Sequence, residues 1–342
     1  MSTKVLRNIE VTKIESKYCN VESLYNKRTE PFRILIKTRQ NRLGNYGGIM
    51  QICISIAVLM SSLLLAESGS TKTDWCLIRK GKKPVEFRTT GINPLLQSTE
   101  EIMSVLHNEL HWNPKIHAAE KISFYGSGAG SAQRQKEIAA VLKKFFGSGA
   151  VEVQSDMMAA ARALCGDQKG IVCILGTGSN SCFYNGKTIK EQQASLGYIA
   201  GDEGSGNHLG KRVLQYYAYK TFDLELTLAF EKLFGNDLPE ILRKLYREPF
   251  PNRYLAQFVQ LLVENRGHYM VENILEDCLN DFFHNHILKY RQSWKSPIHF
   301  TGSIAYLFQD IILDISHQYE LELGKIEKSP IQGLMNYHKS SL

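Results

Sequence analysis

Cysteine pairs and metal-ligand spacings are missing from the sequence. The 342 residues include seven cysteines, which lie far apart, and none forms a CxxC motif or has a histidine at ligand spacing. An odd, dispersed set in apolar contexts is typical of reduced core cysteines rather than of a disulfide or metal framework. The sequence therefore predicts a cytoplasmic protein with neither a zinc nor an iron–sulfur site.

Excess positive charge is absent from most of the chain. The formal net charge is +7, but residues 1–49 hold ten Lys or Arg and four Glu, and so supply six of the seven charges. The remainder is nearly neutral, which argues against a nucleic-acid partner. Residues 1–49 show no sustained hydrophobic period, and we expect residues 1–59 to form a poorly ordered N-terminal extension.

The sequence also lacks an apolar run long enough for a membrane span. An apolar stretch covers residues 50–66, but residues 63–66 are predicted to form a strand. About nine apolar residues remain, whereas a spanning helix needs about 20. We therefore expect no membrane partner, and a functional chain that begins near Met60.

A glycine-rich turn follows a short apolar strand at 171–181, which reads I-V-C-I-L-G-T-G-S-N-S. The glycines let successive backbone N–H groups converge on an anion, as in a phosphate-binding loop. A Walker loop or Rossmann turn opens into a helix, whereas residues 181–184 are strand-like and Asn185-Gly186 predicts a hairpin. The unit is therefore strand, glycine loop, strand, hairpin, strand.

The same unit occurs earlier in the chain. Residues 63–66 and 74–78 read as strands joined by small residues, and the chain turns near Gly81 into a third strand at 85–89. Two copies of one unit predict an α/β protein with two similar domains facing each other. A nucleotide between them would have its phosphates held from both sides.

Asp156 lies between the two copies. Residues 151–154 read as a strand, and Ser155-Asp156 opens an alanine-rich helix that ends at Gly166. Such residues are most often only N-caps. The position of Asp156, just before the second copy, also fits a carboxylate that faces the cleft.

A second polar loop, G-D-E-G-S-G at 201–206, precedes a predicted helix. Asp202 and Glu203 are favourable charges at a helix start, but an ordered loop with so many glycines is costly, which favours a functional role. Ser98 and Glu101, three residues apart, form a capping box that predicts the start of a helix. The other periodic segments predict helices at 132–146, 209–234, 304–319 and 330–338, mostly helical structure over 233–294, and strands at 122–125, 297–301 and 324–328.

Seven short motifs follow one another in a fixed order: A-E-S-G-S-T-K-T-D-W (66–75), T-T-G-I-N-P (89–94), S-D-M-M-A-A-A-R-A-L (155–164), I-L-G-T-G-S-N-S (174–181), G-D-E-G-S-G (201–206), H-F-T-G-S-I-A (299–305) and S-P-I-Q-G-L (329–334). Together they resemble the BadF/BadG/BcrA/BcrD-type ATPase family, and within it the N-acetylglucosamine kinase-like branch. The similarity covers about residues 60–340, and the ordered set is more specific than any one motif.

The resemblance implies the actin-like, hexokinase-like ATPase fold, with two ribonuclease-H-like domains and ATP in the cleft between them. The first domain would comprise residues 60–165, rejoined by the C-terminal helix 330–342. The second would comprise residues 166–329.

By similarity, Asp156 would be the catalytic base. Two phosphate loops and an adenosine turn would bind ATP through Ser68, Gly69, Ser70, Thr71, Lys72, Thr73, Gly176, Thr177, Gly178, Ser179, Asn180, Gly302 and Ser303. The sugar would face Asn93, Gly126, Ser127, Asp202 and Glu203. The first loop of this superfamily commonly begins with Asp; here Glu67 stands there, and its longer side chain can still hold a water of Mg²⁺.

The expected activity is transfer of a phosphoryl group from ATP to a hydroxyl of a small amino sugar, with Lys72 as an added cation. N-acetylglucosamine, glucosamine and N-acetylmuramic acid are all open as substrates. An activator ATPase for a dehydratase is an alternative, although no cysteine falls in a glycine loop that could hold its iron–sulfur cluster. A non-catalytic sugar or nucleotide sensor is a second alternative. We expect a homodimer as the default oligomer, because dimers are the commonest assemblies.

Overall fold

The structure is a computed structural model that describes residues 62–69, 71–110, 116, 119–147 and 150–339. These residues belong to one compact unit, Leu59–Leu342. The predictions for residues 1–59, for a start near Met60 and for Ser70 lie outside the described residues.

The first sheet consists of the strands β1 (Ser62–Ser68), β2 (Lys72–Arg79), β3 (Val85–Thr90), β4 (Lys121–Gly126) and β5 (Ala150–Ser155). Their order is β3-β2-β1-β4-β5. The first three strands pair antiparallel, whereas β1, β4 and β5 run parallel.

The second sheet consists of the strands β6 (Lys169–Leu175), β7 (Ser179–Asn185), β8 (Ile189–Gln192), β9 (Ile298–Thr301) and β10 (Leu323–Glu327). Its order, β10-β9-β6-β7-β8, repeats the pairing scheme of the first sheet, with antiparallel β6, β7 and β8 and parallel β6, β9 and β10. The repeat predicted from the two strand–loop–strand units is confirmed.

The helices are α1 (Thr99–Leu110), α2 (Ala132–Phe146), α3 (Asp156–Cys165), α4 (Gly197–Ala200), α5 (Gly206–Ala218), α6 (Leu224–Phe234), α7 (Leu238–Arg247), α8 (Pro251–Gln257), α9 (Val259–Glu264), α10 (Tyr269–Asn285), α11 (Ser303–Leu307), α12 (Gln309–Gln318) and α13 (Ile331–Lys339). The predicted capping box starts α1: the Ser98 N–H donates to Glu101, and the Glu101 N–H donates to the Ser98 hydroxyl. The predicted bounds of α2 are confirmed, and it ends at Gly147 in a left-handed conformation.

Helix α3 packs against both sheets. Its Ala159 lies in a cluster with Leu63 and Leu65 of the first sheet, while Ala160 and Ala161 lie in a cluster with residues of the second sheet. Alanine brings little volume and no polar group, so both sheets can approach the same helix closely.

Helix α13 crosses α3 at a glycine. A Cβ at Gly333 would lie 2.5 Å from the backbone oxygen of Ala163, so no larger residue fits this crossing. Leu334 and Met335 then pack with Leu63 and Leu65 on the first sheet. We retain the division into residues 60–165 with 330–342, and residues 166–329, as a proposal.

Two predicted helices are each divided in the structure. The predicted helix 209–234 is wrong, because α5 ends at Ala218, Lys220 has φ +58°, and Asp223 caps a new helix by accepting from the Leu226 N–H. The predicted helix 304–319 is likewise divided at Phe308 into α11 and α12. Local hydrophobic spacing continues across both breaks, so it could not locate them.

Among the described residues, no helix has both the length and the apolar content that crossing a membrane requires.

A buried hydrogen-bond network ties α13 to the first sheet. Arg162 of α3 donates to the Tyr125 hydroxyl oxygen at 2.6 Å, and that oxygen lies 2.8 Å from Nε2 of His338. Since the guanidinium has only protons to offer, we assign the Tyr125 proton to Nε2, which makes His338 a neutral acceptor. Arg162 also binds Glu152 at 2.8 Å.

We expect acid to lower the free energy of unfolding through His338, because burial lowers the pKa of this side chain to about 4. The unfolded chain binds the proton near pH 6.5 and the folded protein does not, so the free energy of unfolding falls as the pH drops from 6.5 toward 4, by about 2 kcal/mol at about pH 5. Urea unfolding at neutral pH and at about pH 5 measures this loss.

His338→Gln provides the comparison. Its stability should fall less steeply with acid, the remaining slope coming in part from His299, whose pKa is also lowered to about 4 by burial. Parallel losses in both proteins would contradict the assignment.

Candidate active site

A cleft of about 1460 Å³ is lined by residues from both sheets. The predicted site residues that line it are Glu67, Gly69, Thr71, Lys72, Asn93, Ser127, Asp156, Gly176, Thr177, Gly178, Ser179, Asn180, Asp202, Gly302 and Ser303. Ser68, Thr73, Gly126 and Glu203 are not among its described lining residues. Most of the predicted site residues therefore meet in one cleft.

The first loop joins β1 to β2, and two buried hydroxyls at its ends are hydrogen-bonded to each other. The Ser68 and Thr73 hydroxyls lie 2.7 Å apart, and Ser68 also bonds the backbone of Ile92. The Gly69 N–H donates to the Lys72 carbonyl at 2.9 Å. Ser68 and Thr73 thus fix the shape of the loop, while Gly69 and Thr71 present its surface to the cleft.

Lys72 forms an ion pair with Asp74 of the same strand, β2. Its ammonium donates to Asp74 at 2.7 Å, and Arg88 donates to the same carboxylate at 2.6 Å. Burial acts to raise the pKa of Asp74, but the hydrogen bonds from Lys72 and Arg88 outweigh it and lower the pKa. Lys72 would have to leave Asp74 to serve as the expected cation for a phosphate.

Glu67 stands among negative charges beside this loop. Burial, together with repulsion from Asp74 and Asp156, raises the pKa of Glu67 to about 7. Mg²⁺ is bound in nucleotide sites by one or two carboxylates, waters and phosphate oxygens. Glu67 lines the cleft beside the first loop, so its carboxylate fits that requirement, and a bound cation would offset the charges of Asp74 and Asp156.

The second loop is held by the start of α5. The Gly176 N–H donates to the Gly178 carbonyl at 2.9 Å, which makes the turn. The N–H groups of Gly206 and Asn207 donate to the carbonyls of Gly176 and Thr177 at 2.8 and 3.0 Å. The G-D-E-G-S-G segment therefore supports the glycine turn directly, which the sequence did not indicate.

Asp156 begins α3 at the bottom of the cleft. Ser155 caps the helix, since its hydroxyl accepts from the Met158 N–H, so the Asp156 carboxylate is not the N-cap. One oxygen of Asp156 accepts from the Ser127 hydroxyl at 2.8 Å and the other from the Met157 N–H at 2.9 Å. Burial raises the pKa of Asp156 and outweighs both hydrogen bonds, which makes it a stronger base than an exposed carboxylate.

Asn93 and Gly128 meet on the side of the first sheet. The Asn93 side-chain oxygen accepts from the Leu95 N–H at 2.9 Å, and a Cβ at Gly128 would collide with that oxygen. Gly126 is buried instead, and a Cβ there would lie 2.6 Å from the Phe124 ring. Gly126 therefore serves packing rather than contact with a ligand.

The side chains of Asp202 and Glu203 have different hydrogen-bond partners. Asp202 has φ +57°, and its carboxylate accepts from Asn207 at 2.8 Å and from the Ser179 N–H at 3.4 Å, beside the second loop. Glu203 lies 3.3 Å from Nε2 of His286, at the C-terminal end of α10. The expectation that both carboxylates face the sugar therefore needs correcting for Glu203.

Gly302 lies close to the backbone of Leu175 and Gly176, where the second loop begins. It has φ +116°, and a Cβ there would collide with the carbonyl of Leu175. The adjacent Thr301 hydroxyl and the Ser179 hydroxyl are buried at the cleft, and neither has a hydrogen-bond partner in the part of the chain that the structure describes. Both are therefore suited to a polar ligand. Thr301 was missed from the sequence because a threonine ending a strand has no distinctive pattern.

A smaller hollow of about 320 Å³ adjoins the second loop. Gly176, Thr177 and Ser303 form one side of it, and its apolar walls include Ala256, Val259, Val263, Ile304 and Leu307. Gln257 and Gln260 add amide groups. The sequence could not reveal it, because these residues read as ordinary helical stripes of a core.

The chain matches neither a protein-family model nor a curated protein. Among solved structures it is similar to a proposed N-acetylglucosamine kinase from Porphyromonas gingivalis, with 37% identity, a TM-score of 0.78, and coverage of 81% of this chain and 99% of that one.

Two other solved structures share the fold at lower identity. A proposed N-acetylglucosamine kinase from Chromobacterium violaceum is 17% identical with a TM-score of 0.62, over 81% of this chain and 99% of that one. A ROK-family glucokinase from Streptomyces griseus, solved with glucose and AMPPNP, is 15% identical with a TM-score of 0.52, over 82% and 99%. The two-sheet architecture is thus the two-domain actin-like ATPase fold, and the chain belongs to the same family as the Porphyromonas gingivalis protein.

Proposed function

We propose that the protein is an ATP-dependent kinase that phosphorylates a hydroxyl of an amino sugar, N-acetylglucosamine or a close relative. The observation that carries this proposal is the position of Asp156, a carboxylate with a raised pKa in a cleft walled by two glycine loops. The related Porphyromonas gingivalis protein adds the amino-sugar assignment. We also propose the N-acetylglucosamine kinase-like branch of the BadF/BadG/BcrA/BcrD-type ATPases and a cytoplasmic location.

The two glycine loops are the proposed phosphate sites. Residues 176–180 offer a turn whose backbone is fixed by α5, and residues 68–73 offer the opposite wall. The 320 Å³ hollow next to Ser303 suits the base of the nucleotide, because it is apolar and continuous with the second loop. The hydroxyls of Ser179 and Thr301, which have no partner among the described residues, line the cleft as hydrogen-bonding groups.

Glu67, assisted by the charge of Asp74, is the proposed holder of Mg²⁺. When bound, the ion neutralises charge on the ATP phosphates during transfer. This role suits Glu67 better than proton transfer, since its neighbours are carboxylates and a phosphate loop.

Asp156 is the proposed general base. A carboxylate with a raised pKa can accept the proton of a sugar hydroxyl as that hydroxyl attacks the terminal phosphate. Ser127 fixes the rotamer of Asp156 through its 2.8 Å hydrogen bond. Asn93 and Asp202 are the remaining sugar-side candidates in the cleft, and Lys72 contributes only if it leaves Asp74.

The alternatives fit the cleft less well. An activator ATPase needs exposed cysteines for a shared cluster, but the five cysteines among the described residues, Cys76, Cys165, Cys173, Cys182 and Cys278, are all buried. A sugar sensor needs no catalytic base, whereas the raised pKa of Asp156 in the cleft supports a base there.

We expect Asp156→Ala to lower kcat for sugar phosphorylation by about 10²–10⁴-fold, the usual contribution of a general base. ATP should still bind, because the loops and the hollow are untouched. A coupled assay and nucleotide titration measure the two effects. Asp314→Ala, which removes an exposed carboxylate from α12, is the matched control. Turnover by Asp156→Ala at the wild-type rate would reject the base assignment.

The pH profile tests how Asp156 is tuned. The base must be ionised, so kcat should fall as the pH drops through the raised pKa of Asp156. The hydrogen bond from Ser127 favours the ionised form, and its removal in Ser127→Ala should move this acid limb to higher pH. An unchanged limb in Ser127→Ala would show that another group controls it.

A substrate panel tests the reaction class. ATP consumption should rise with N-acetylglucosamine or a relative among glucosamine and N-acetylmuramic acid, and kcat/KM ranks them. ATP hydrolysis that no sugar stimulates would favour the activator, and binding without turnover would favour the sensor.

A further inference from the structure

A chain of buried polar side chains runs through the second sheet next to the cleft. Ser181 and Tyr290 are fully buried, and His286 is 5% exposed. The Ser181 hydroxyl lies 3.1 Å from Nδ1 of His286 and 2.9 Å from the Tyr290 hydroxyl. The surrounding core is built almost entirely from Leu, Ile, Val and Phe, so these polar groups would be costly without partners.

The proton of each group in this chain can be assigned. The Gln193 N–H donates to the Tyr290 oxygen at 2.9 Å, which leaves the Tyr290 proton for Ser181. The Ser181 proton then goes to Nδ1 of His286, and Nε2–H of His286 donates to Glu203 at 3.3 Å. Every donor has an acceptor when His286 is neutral, and burial lowers the pKa of His286 despite the Glu203 carboxylate.

The two ends of the chain are loops that line the cleft. Gln193 begins the segment in which Ser195, Gly197 and Tyr198 line the cleft. At the other end, Glu203 directly follows Asp202, which also lines the cleft. The middle of the chain is fixed to β7 and to the end of α10.

A second contact anchors the Asp202 loop at the same place. The His286 ring stacks on Phe282 at 4.6 Å, and a Cβ at Gly204 would lie 2.8 Å from the Phe282 Cβ. The loop therefore rests on α10 through Glu203 and Gly204 together.

We propose that Tyr290, Ser181, His286 and Glu203 are positioning residues that hold the 193–198 and 201–205 segments in the geometry that binds the second substrate, the phosphoryl acceptor. The proposal rests on the proposed kinase function and extends it. Tyr290 and Glu203 act at a distance, by fixing the backbone that presents Tyr198 and Asp202. Glu203 thereby has a role that its orientation away from the cleft permits.

Tyr290→Phe tests the proposal with Tyr184→Phe as the matched control. Both remove one hydroxyl from a buried tyrosine beside the second sheet. Among the described residues, the Tyr184 hydroxyl donates to the Gly166 carbonyl alone, at 3.2 Å, away from the cleft loops. We expect Tyr290→Phe to raise the KM for the best sugar about tenfold, the effect of losing a buried hydrogen bond, and Tyr184→Phe to leave it unchanged. A loss of folded protein alone lowers kcat and leaves KM unmoved.

Hydrogen exchange supplies a readout that needs no substrate. Amides of residues 193–205 should exchange faster in Tyr290→Phe than in wild type or Tyr184→Phe. If no sugar is phosphorylated by wild type, the proposed function has failed, and this comparison still decides whether the chain orders the loops. Unchanged exchange in Tyr290→Phe would overturn the proposal.

The Glu203 variants separate hydrogen bonding from charge. Glu203→Gln keeps an oxygen that accepts from His286 and should retain the wild-type KM within about twofold, while Glu203→Ala should raise KM about tenfold. Equal KM values in Glu203→Ala and wild type would overturn the proposal.

Discussion

The structure depends on the packing of one alanine-rich helix, α3, between two sheets. Its small side chains let both sheets approach it, and its N-terminus consequently opens at the cleft that both sheets line. Asp156 is the first residue of this helix. The backbone that carries this carboxylate is therefore held by the part of the molecule that both halves contact, while the hydrogen bond from Ser127 fixes its rotamer.

The sequence predicted the features that depend on residues close together along the chain. Glycine turns flanked by short strands gave the repeat, and the capping box and Gly147 gave the limits of α1 and α2. Asp156 was predicted because it stands between the two copies, and the structure places it in the cleft. The order of the motifs carried more information than any one of them, since the ends of parallel strands converge on one cleft.

The features that the sequence missed depend on contacts between distant residues. Adjacent Asp202 and Glu203 look equivalent in the sequence, but Asp202, with its positive φ, bonds the glycine loop while Glu203 faces His286, 83 residues further along. Lys72 was expected to be available for phosphate, but Asp74 binds it. The break at Lys220 has no glycine or proline to mark it, so hydrophobic spacing alone extended the helix.

The contact between α13 and the first sheet has a consequence for synthesis of the protein. Cys76 of β2 contacts Met335, 259 residues away in sequence, and Tyr125 contacts His338, 213 residues away. The second sheet lies between these partners in the sequence. During translation this face of the first sheet, on which α3 also packs, is completed only after α13 has been synthesised. Its final packing therefore follows synthesis of the second sheet, and a chain without α13 would leave Leu63, Leu65 and Cys76 partly exposed.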